Sequence, residues 1–307
     1  MKQIREINVL SMCDGEGTGK MAFDMLGIKV NYWAVEINPH ARKIADHNLE
    51  GITRPLHDLT EITPEQMLML WPMFDFVFFG FTCKSLSRQS NGDDLKGSSK
   101  ILFDCMQVLS LAKYRNPKVR FLIENVSSMR NTMKEVISKI IGVPFVEVNS
   151  ALVSGQARQR LYWANWDFPL PKDRGIMAND ILEDDAKELR AWSKSTRYKC
   201  LKTGKIFGSP AEGRVSYIED RFRKDGKSHT LVTGKGCQGP STKNWVITKD
   251  GQRRMLTVRE CARLQSKPDS FDYSCVSENQ AYEAIGNGWN LDTIVHILKY
   301  SFKKSNK

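Results

Sequence analysis

The chain has no apolar run approaching the roughly 20 residues needed to span a bilayer. Its amino terminus, Met1-Lys2-Gln3-Ile4-Arg5-Glu6, lacks the apolar stretch of a signal peptide. No membrane association is expected. Cysteines number 7, an odd count scattered without a CxxC pair. That argues against a disulfide framework and a zinc pair, so no metal is expected and a reducing compartment is the expected setting. No internal repeat is visible. Two nucleotide motifs are also missing from the glycine-rich turn Cys13-Asp14-Gly15-Glu16-Gly17-Thr18-Gly19. The dinucleotide fingerprint needs G-x-G-x-x-G, and here the third glycine arrives one residue early. A Walker loop needs four residues between its glycines and Ser or Thr after the Lys; Gly15 and Gly19 enclose three, and Met21 follows Lys20. Asp14 and Glu16 would repel a phosphate as well. A ligand without phosphates fits better.

What is present is a 307-residue chain, 26% charged and 41% apolar. That is an ordinary soluble composition, long enough for one large domain and a smaller one. The net charge of +11 favours a polyanionic partner, because each neutralised phosphate releases counterions. Much of the excess lies between Lys172 and Arg263, in Arg221, Arg223, Lys224, Lys227, Lys235, Lys243, Arg253, Arg254 and Arg259. Solubility alone would also account for a basic chain. Charge favours nucleic acid without establishing it.

In chain order, the apolar run 7–12 predicts a first strand, and Met21, Ala22, Met25 and Leu26 follow the glycine turn at helical spacing, with Gly27 as a stop. A second strand over 31–35 ends in Glu36, an acid placed to accept hydrogen bonds from a ribose diol. Asn38 and Pro39 then predict the cap and first position of a helix. Asp58, past the next turn, is placed to meet an adenine amino group. S-adenosylmethionine supplies a ribose, an adenine and no phosphate. The run 74–79 predicts a third buried strand, ending at Gly80 with Cys83 just beyond, where α/β folds put their chemistry. The competing reading is that Cys83 is one more buried thiol. The run 119–123 predicts another strand, leading into Glu124-Asn125-Val126. Met129, Met133, Val136, Ile137 and Ile140 predict an amphipathic helix, and 145–148 a further strand before Gln156-Ala157-Arg158-Gln159-Arg160.

Strands and helices alternate throughout, which predicts an α/β fold with a doubly wound, mostly parallel sheet. From Lys172 the periodicity fades into a loop-rich, basic stretch. Thr257-Val258-Arg259-Glu260 has capping-box spacing. Leu291, Ile294, Val295, Leu298 and Phe302 predict a last helix that returns to the first domain. The division expected is a catalytic, cofactor-binding domain of residues 1–172 plus 280–307, and a target-recognition domain of residues 173–279.

These residues together resemble the cytosine-C5 DNA methyltransferases, over essentially the whole chain with a weak middle at about 175–251. The glycine turn is similar to the family's cofactor loop in its Dnmt3-like version. Gly80-Phe81-Thr82-Cys83-Lys84-Ser85-Leu86-Ser87 resembles the nucleophile motif G-F-P-C-Q-S-F-S. Glu124-Asn125-Val126 is identical to E-N-V, and 156–160 matches Q-x-R-x-R. Residues 256–269 resemble the R-x-L-T-x-R-E-C-A-R-L-Q-G-F-P-D segment, and Ala284-Ile285-Gly286-Asn287 the closing cofactor motif. The family's order and spacing are kept throughout.

The resemblance implies a methyltransferase fold and a mechanism. Cytosine C5 becomes nucleophilic once the Cys83 thiolate adds at C6. Glu124 at N3 stabilises the charge pushed into the ring, and C5 then takes the methyl group of S-adenosylmethionine. The base must be flipped out of duplex DNA, with Arg158 and Arg160 holding it. Ser85, Ser87, Gln156 and Arg259 are implied to face DNA. Cys13, Asp14, Gly15, Gly17, Thr18, Glu36, Ile37, Asp58, Leu59, Asn287 and Trp289 are implied to line the cofactor site. A monomer is expected, in the cytoplasm of a bacterial or phage-infected cell by analogy. The alternatives are the same chemistry on RNA, and an inactive DNA-binding regulatory homologue.

Several positions depart from the pattern. Thr82 stands for the motif's proline, Lys84 for its glutamine, Cys13 for a phenylalanine beside the cofactor, and Ser266-Lys267 for the frequent G-F pair. Trp289 stands for a small residue, as in Dnmt3-like relatives. A cation at Lys84 beside Cys83 is expected to depress the thiol pKa. Lys84→Gln should therefore move the iodoacetamide reactivity of Cys83 to higher pH. Superimposable pH profiles for the two proteins would refute this.

Overall fold

Short apolar runs bounded by glycine and polar turns become strands because each can be covered on both faces by the helices between them. The computed structural model describes residues 6–80, 98–183, 197–203, 206–207, 211–212, 214–217, 225–232, 245–247 and 253–303. The first half contains β1 (Ile7–Met12), α1 (Thr18–Met25), β2 (Val30–Val35), α2 (Pro39–Asn48), β3 (Ile52–Thr53), β4 (Phe76–Gly80), α3 (Ser98–Arg115), β5 (Arg120–Val126), α4 (Asn131–Ile141), β6 (Phe145–Asn149) and β7 (Gln159–Ala164). Short strands follow: β8 (Arg197–Cys200), β9 (Ile206–Phe207), β10 (Arg214–Tyr217), β11 (Trp245–Ile247) and β12 (Arg253–Met255). The chain closes with α5 (Val258–Leu264), α6 (Glu278–Asn287) and α7 (Leu291–Ser301).

The main sheet has 7 strands in the order β3-β2-β1-β4-β5-β7-β6. The pairings from β3 to β5 are parallel, and β7 runs antiparallel to both β5 and β6. This is the doubly wound, mostly parallel α/β sheet that alternation predicts. The order reverses between β1 and β4, the switch point where such sheets open a crevice at the strands' carboxyl ends. Register makes those ends coincide. Met12 lies opposite both Val35 and Phe79, and Gly80 lies opposite Glu124.

Side chains alternate between two cores, as the pleat requires. Val9, Tyr32, Ala34, Phe76, Phe78 and Leu122 share one core with residues of α1, α2, α6 and α7. Leu10, Met12, Val35, Val77, Phe79 and Ile123 share the other with residues of α3 and α4. The caps are those the sequence suggests. Asn38 Oδ1 accepts from His40 N at 2.9 Å. Thr257 Oγ1 accepts from Glu260 N at 3.1 Å, while Glu260 Oε2 accepts from Thr257 N at 2.8 Å.

Three features of the structure are not marked in the sequence. Strand β7 is one: Leu161, Tyr162 and Trp163 are all buried, so no alternation marks it, and its partners on either side are supplied by tertiary pairing. In α4 the inward face holds Ile137 and Ile141, while Val136 and Ile140 are exposed. The packing also does not change at residue 279. Leu256, Cys261, Ala262, Leu264, Phe271 and Tyr273 sit in the same core as α1 and α7. Of the loop-rich stretch, β8, β9 and β10 form a separate antiparallel sheet and β11 and β12 an antiparallel pair.

No helix among the described residues is long and apolar enough to cross a membrane. Phe23 on α1 is fully buried, edge-on to Phe76 at 5.4 Å and stacked on Phe78 at 5.8 Å. Phe23→Ala is expected to cost about 3–5 kcal/mol of unfolding free energy, read as a lowered urea midpoint. An unchanged midpoint would show that α1 does not depend on this contact.

Candidate active site at the carboxyl ends of the sheet

The turn after β1 is built from left-handed backbone. Cys13, Gly15 and Gly17 have φ of 53, 60 and 79°. Such values are costly for a residue with a Cβ, so Cys13 carries local strain. At Gly17 a side chain would also collide, since a Cβ there would lie 2.5 Å from Leu49 Cδ1. Glu36 at the end of β2 braces the turn. Its Oε2 accepts from Gly15 N and its Oε1 from Asn38 N, both at 2.8 Å. Each oxygen keeps a further lone pair for another donor. Next to it Ile37 is 67% exposed, an uncovered apolar surface at a strand end.

Asp58 follows β3 and caps a short turn over buried Leu59. It accepts from Thr60 N at 2.9 Å and Thr60 Oγ1 at 2.8 Å, both at Oδ1. Those bonds hold its carboxyl below its ordinary value. Thr18 opens α1 and is buried, whereas Asn287, the last residue of α6, is exposed. Asp14 and Glu16 turn their carboxyl groups into the protein. Asp14 Oδ1 accepts from Tyr32 Oη at 2.7 Å, and Glu16 Oε2 accepts from Tyr273 Oη at 2.9 Å. Their repulsion of a ligand above the turn is therefore weaker than the sequence alone suggests.

Glu124 occupies the end of β5, only 8% exposed. Its Oε1 pairs with Arg160 Nε at 2.9 Å, and its Oε2 accepts from Trp289 Nε1 at 3.1 Å. One cation and one indole N–H thus fix a nearly buried carboxylate. Gly80 stands directly opposite, and a Cβ there would come 2.7 Å from Trp289 Nε1 and 3.2 Å from Glu124 Oε2. Only glycine leaves this approach open. Trp289, which the resemblance assigns to the cofactor, therefore also orients Glu124. Sequence reasoning misses that role because the two residues are 165 positions apart.

The remaining motif residues divide. Arg158 is 3% exposed, and its guanidinium donates to Leu231 O at 3.0 Å, Gly286 O at 3.1 Å and Gly288 O at 2.9 Å. Gln156 is fully buried. Its Nε2 donates to Leu264 O at 3.1 Å and its Oε1 accepts from Leu231 N at 2.9 Å. Here both side chains bond the protein's own backbone, tying the approach to β7 to Leu231, Leu264, Gly286 and Gly288. Arg259 remains more than half exposed beside Glu183, at 2.9 Å. Cys83, Thr82, Lys84, Ser85 and Ser87 lie outside the described residues, as do Arg221, Arg223, Lys224, Lys235 and Lys243.

The site so built belongs to the class of mostly parallel α/β enzymes with a glycine turn after β1 and an acid at the ends of β2 and β5. The family description C-5 cytosine-specific DNA methylase matches residues 7–149 and 164–303. The chain belongs to that family. The type II methyltransferase M.HhaI of Haemophilus parahaemolyticus is 24% identical over 332 residues, covering 97% of this chain and 94% of that one. M.DsaV of Dactylococcopsis salina is 26% identical over 327 residues, covering 96% and 86%. Among solved structures, a Spodoptera frugiperda DNMT2 mutant superposes with a TM-score of 0.66 at 19% identity, covering 97% of this chain and 100% of that one. A putative DNA modification methyltransferase encoded within an E. coli prophage gives 0.66 at 16% identity, covering 98% and 100%. At those identities the two structures share the fold.

Burial pushes the Asp14 carboxyl up to about 6 from an ordinary 3.8, against the opposing pull of the Ser11 and Tyr32 hydroxyls and the Arg54 charge. A folded-state value above the unfolded one means that the protonated acid favours the fold. This contribution is fully present below the unfolded value of 3.8 and is lost as pH rises through about 6. Relative to Asp14→Asn, the native protein should lose on the order of 3 kcal/mol across that window. Urea denaturation of both proteins at stepped pH measures the difference, and parallel stability profiles would contradict it.

Proposed function

We propose that this chain transfers a methyl group to C5 of cytosine in double-stranded DNA, through a covalent adduct between Cys83 and C6 of a flipped-out base. The observation that carries this reading is the Glu124 carboxylate, clamped by Arg160 and Trp289 at the end of β5. It faces the end of β4, from which the chain enters the Cys83 motif. An acid so held is oriented before substrate arrives, which is what electrostatic stabilisation of a developing charge requires. Membership of the C-5 cytosine-specific DNA methylase family supports the reaction type, and the DNA substrate is carried over from relatives named as type II methyltransferases.

The residues fit S-adenosylmethionine. Glu36 has acceptor capacity left for a ribose diol, exposed Ile37 offers an apolar face for adenine, and Asp58 is a carboxylate on the turn that follows β3. Cys13, Gly15, Gly17 and Thr18 form the turn below, and Leu59, Asn287 and Trp289 complete the rim. S-adenosylmethionine supplies an electrophilic methyl group at this place. The chain's own residues do the rest. Cys83 adds to C6 as thiolate, forming the S–C6 bond and moving an electron pair toward C5. Glu124, carrying a proton, donates a hydrogen bond to N3 and so stabilises that charge. After C5 acquires its methyl group, a water molecule takes the C5 proton, the C5–H electron pair forms the C5=C6 bond, and Cys83 departs as thiolate with the electrons of the S–C6 bond. Arg160 keeps Glu124 oriented. Arg158 and Gln156 hold the backbone behind it. We propose that the enzyme acts as a monomer in the cytoplasm of a bacterial or phage-infected cell.

Trapping tests the proposal. In DNA containing 5-fluorocytosine the C5 substituent cannot leave as a proton, so the adduct should persist as a covalent complex when S-adenosylmethionine is present. Capture on DNA that disappears in Cys83→Ser is expected. Capture on RNA alone would move the same chemistry to RNA, and capture on neither polymer would leave a DNA-binding regulatory protein.

A further inference from the structure

Lys267 and Glu16 form an ion pair whose side chains are both 0% exposed, with Nζ and Oε1 3.0 Å apart. The same ammonium donates to Thr18 Oγ1 at 2.7 Å and lies 5.0 Å from the centroid of the Phe271 ring. The other Glu16 oxygen is held by the Tyr273 hydroxyl. Glu16 and Thr18 belong to the glycine turn after β1, whereas Lys267, Phe271 and Tyr273 belong to the segment after α5. Ser266 takes φ 59° to aim Lys267 inward, at the place where the family pattern has glycine.

The segment after α5 also reaches the closing motif. Gln265 Nε2 donates to Ile285 O at 2.8 Å and Gly288 O at 3.1 Å. Gly288 in turn lies against Glu16, since a Cβ there would come 2.8 Å from Glu16 Oε1. One buried ion pair therefore sits where the glycine turn, the segment after α5 and the lead into Trp289 meet.

A buried pair is a poor way to gain stability, because desolvating two charges offsets their attraction, and apolar residues of the same volume do as well or better. What it does supply is one geometry. Each charge tolerates burial only where its partner stands, so the turn between Gly15 and Thr18 has one admissible position over the sheet. Glu36 fixes the turn from the β2 side, and Lys267 fixes it from the α1 side.

We propose that Lys267, through Glu16, is a positioning residue for S-adenosylmethionine: it sets the height and tilt of the glycine turn on which the methyl donor rests. This rests on the reading of that turn as the cofactor site. A purely structural role would show in stability alone, whereas a positioning role shows in cofactor affinity even when stability is kept.

The test uses the full chain and two variants, Lys267→Met and the double variant Glu16→Gln with Lys267→Met. The single variant strands a buried carboxylate and is expected to melt at a lower temperature. The double variant removes both charges and is expected to regain most of the native melting temperature. Affinity for S-adenosylmethionine, measured by calorimetry without DNA, should nevertheless be about tenfold weaker in the double variant, as expected for a small displacement of a binding surface. In steady state its KM for S-adenosylmethionine should rise by the same factor while kcat at saturation stays within about twofold. A double variant that binds as tightly as the native chain, or one that loses kcat with KM unchanged, would overturn the proposal. Failure of the native chain itself to bind S-adenosylmethionine would overturn the cofactor reading and this proposal together.

Discussion

The parallel register of β2, β1, β4 and β5 is the constraint from which the rest follows. Parallel pairing offsets no strand by chance here: Met12 faces Val35 and Phe79, and Gly80 faces Glu124. A shift of one residue in any pairing would turn a whole strand's side chains to the opposite core. With Phe76, Phe78 and Phe23 committed to one face and Val77 and Phe79 to the other, such a shift is prohibitive. The chemistry at the strand ends is held in line by packing many ångströms below it.

Above that line the site depends on long-range polar bonds rather than on apolar contact. Arg158 ties the approach to β7 to Leu231, Gly286 and Gly288. Gln156 ties the same approach to Leu231 and Leu264. Buried Lys227 donates to Ala151 O at 2.7 Å and to Ser154 O at 3.3 Å. Each leaves a donor or acceptor with no substitute partner in the core if its neighbour moves, so the bonds act together or fail together. Segments from the middle and the carboxyl-terminal part of the chain are thereby held beside the strand that carries Arg160, the partner of Glu124.

What the sequence makes legible is what depends on neighbours along the chain. The strand, glycine turn and helix at 7–26 can be read directly, because the apolar spacing and the turn glycines lie within a few residues of one another. Asn38 and Thr257 are readable as caps for the same reason. The residues of the family motifs can be located from sequence, but their division of labour cannot. Nothing near Arg158 tells that its partners are carbonyls more than 70 residues away, and Trp289 meets Glu124 across 165 residues. Lys267 is the plainest case. As a sequence position it is an unexplained departure from an apolar residue, and only the burial of Glu16 beside it gives the charge a reason to be there. Strand β7 is hidden differently: three successive buried residues carry no period, and its place comes from the two strands it joins.

Gly80, Glu124 and Trp289 meet within one side-chain diameter, and this closeness reaches beyond the geometry of a single protein. None of the three positions can drift independently. Any side chain at 80 displaces the indole, a residue at 289 without an N–H takes one of the two fixed partners from the acid, and a change at 124 leaves the indole donor facing nothing. Mutational paths through this corner are therefore few and must pass through paired replacements. With tryptophan at 289, glycine at 80 is a steric requirement, so the ends of β4 and β5 and the lead into α7 form one unit of substitution.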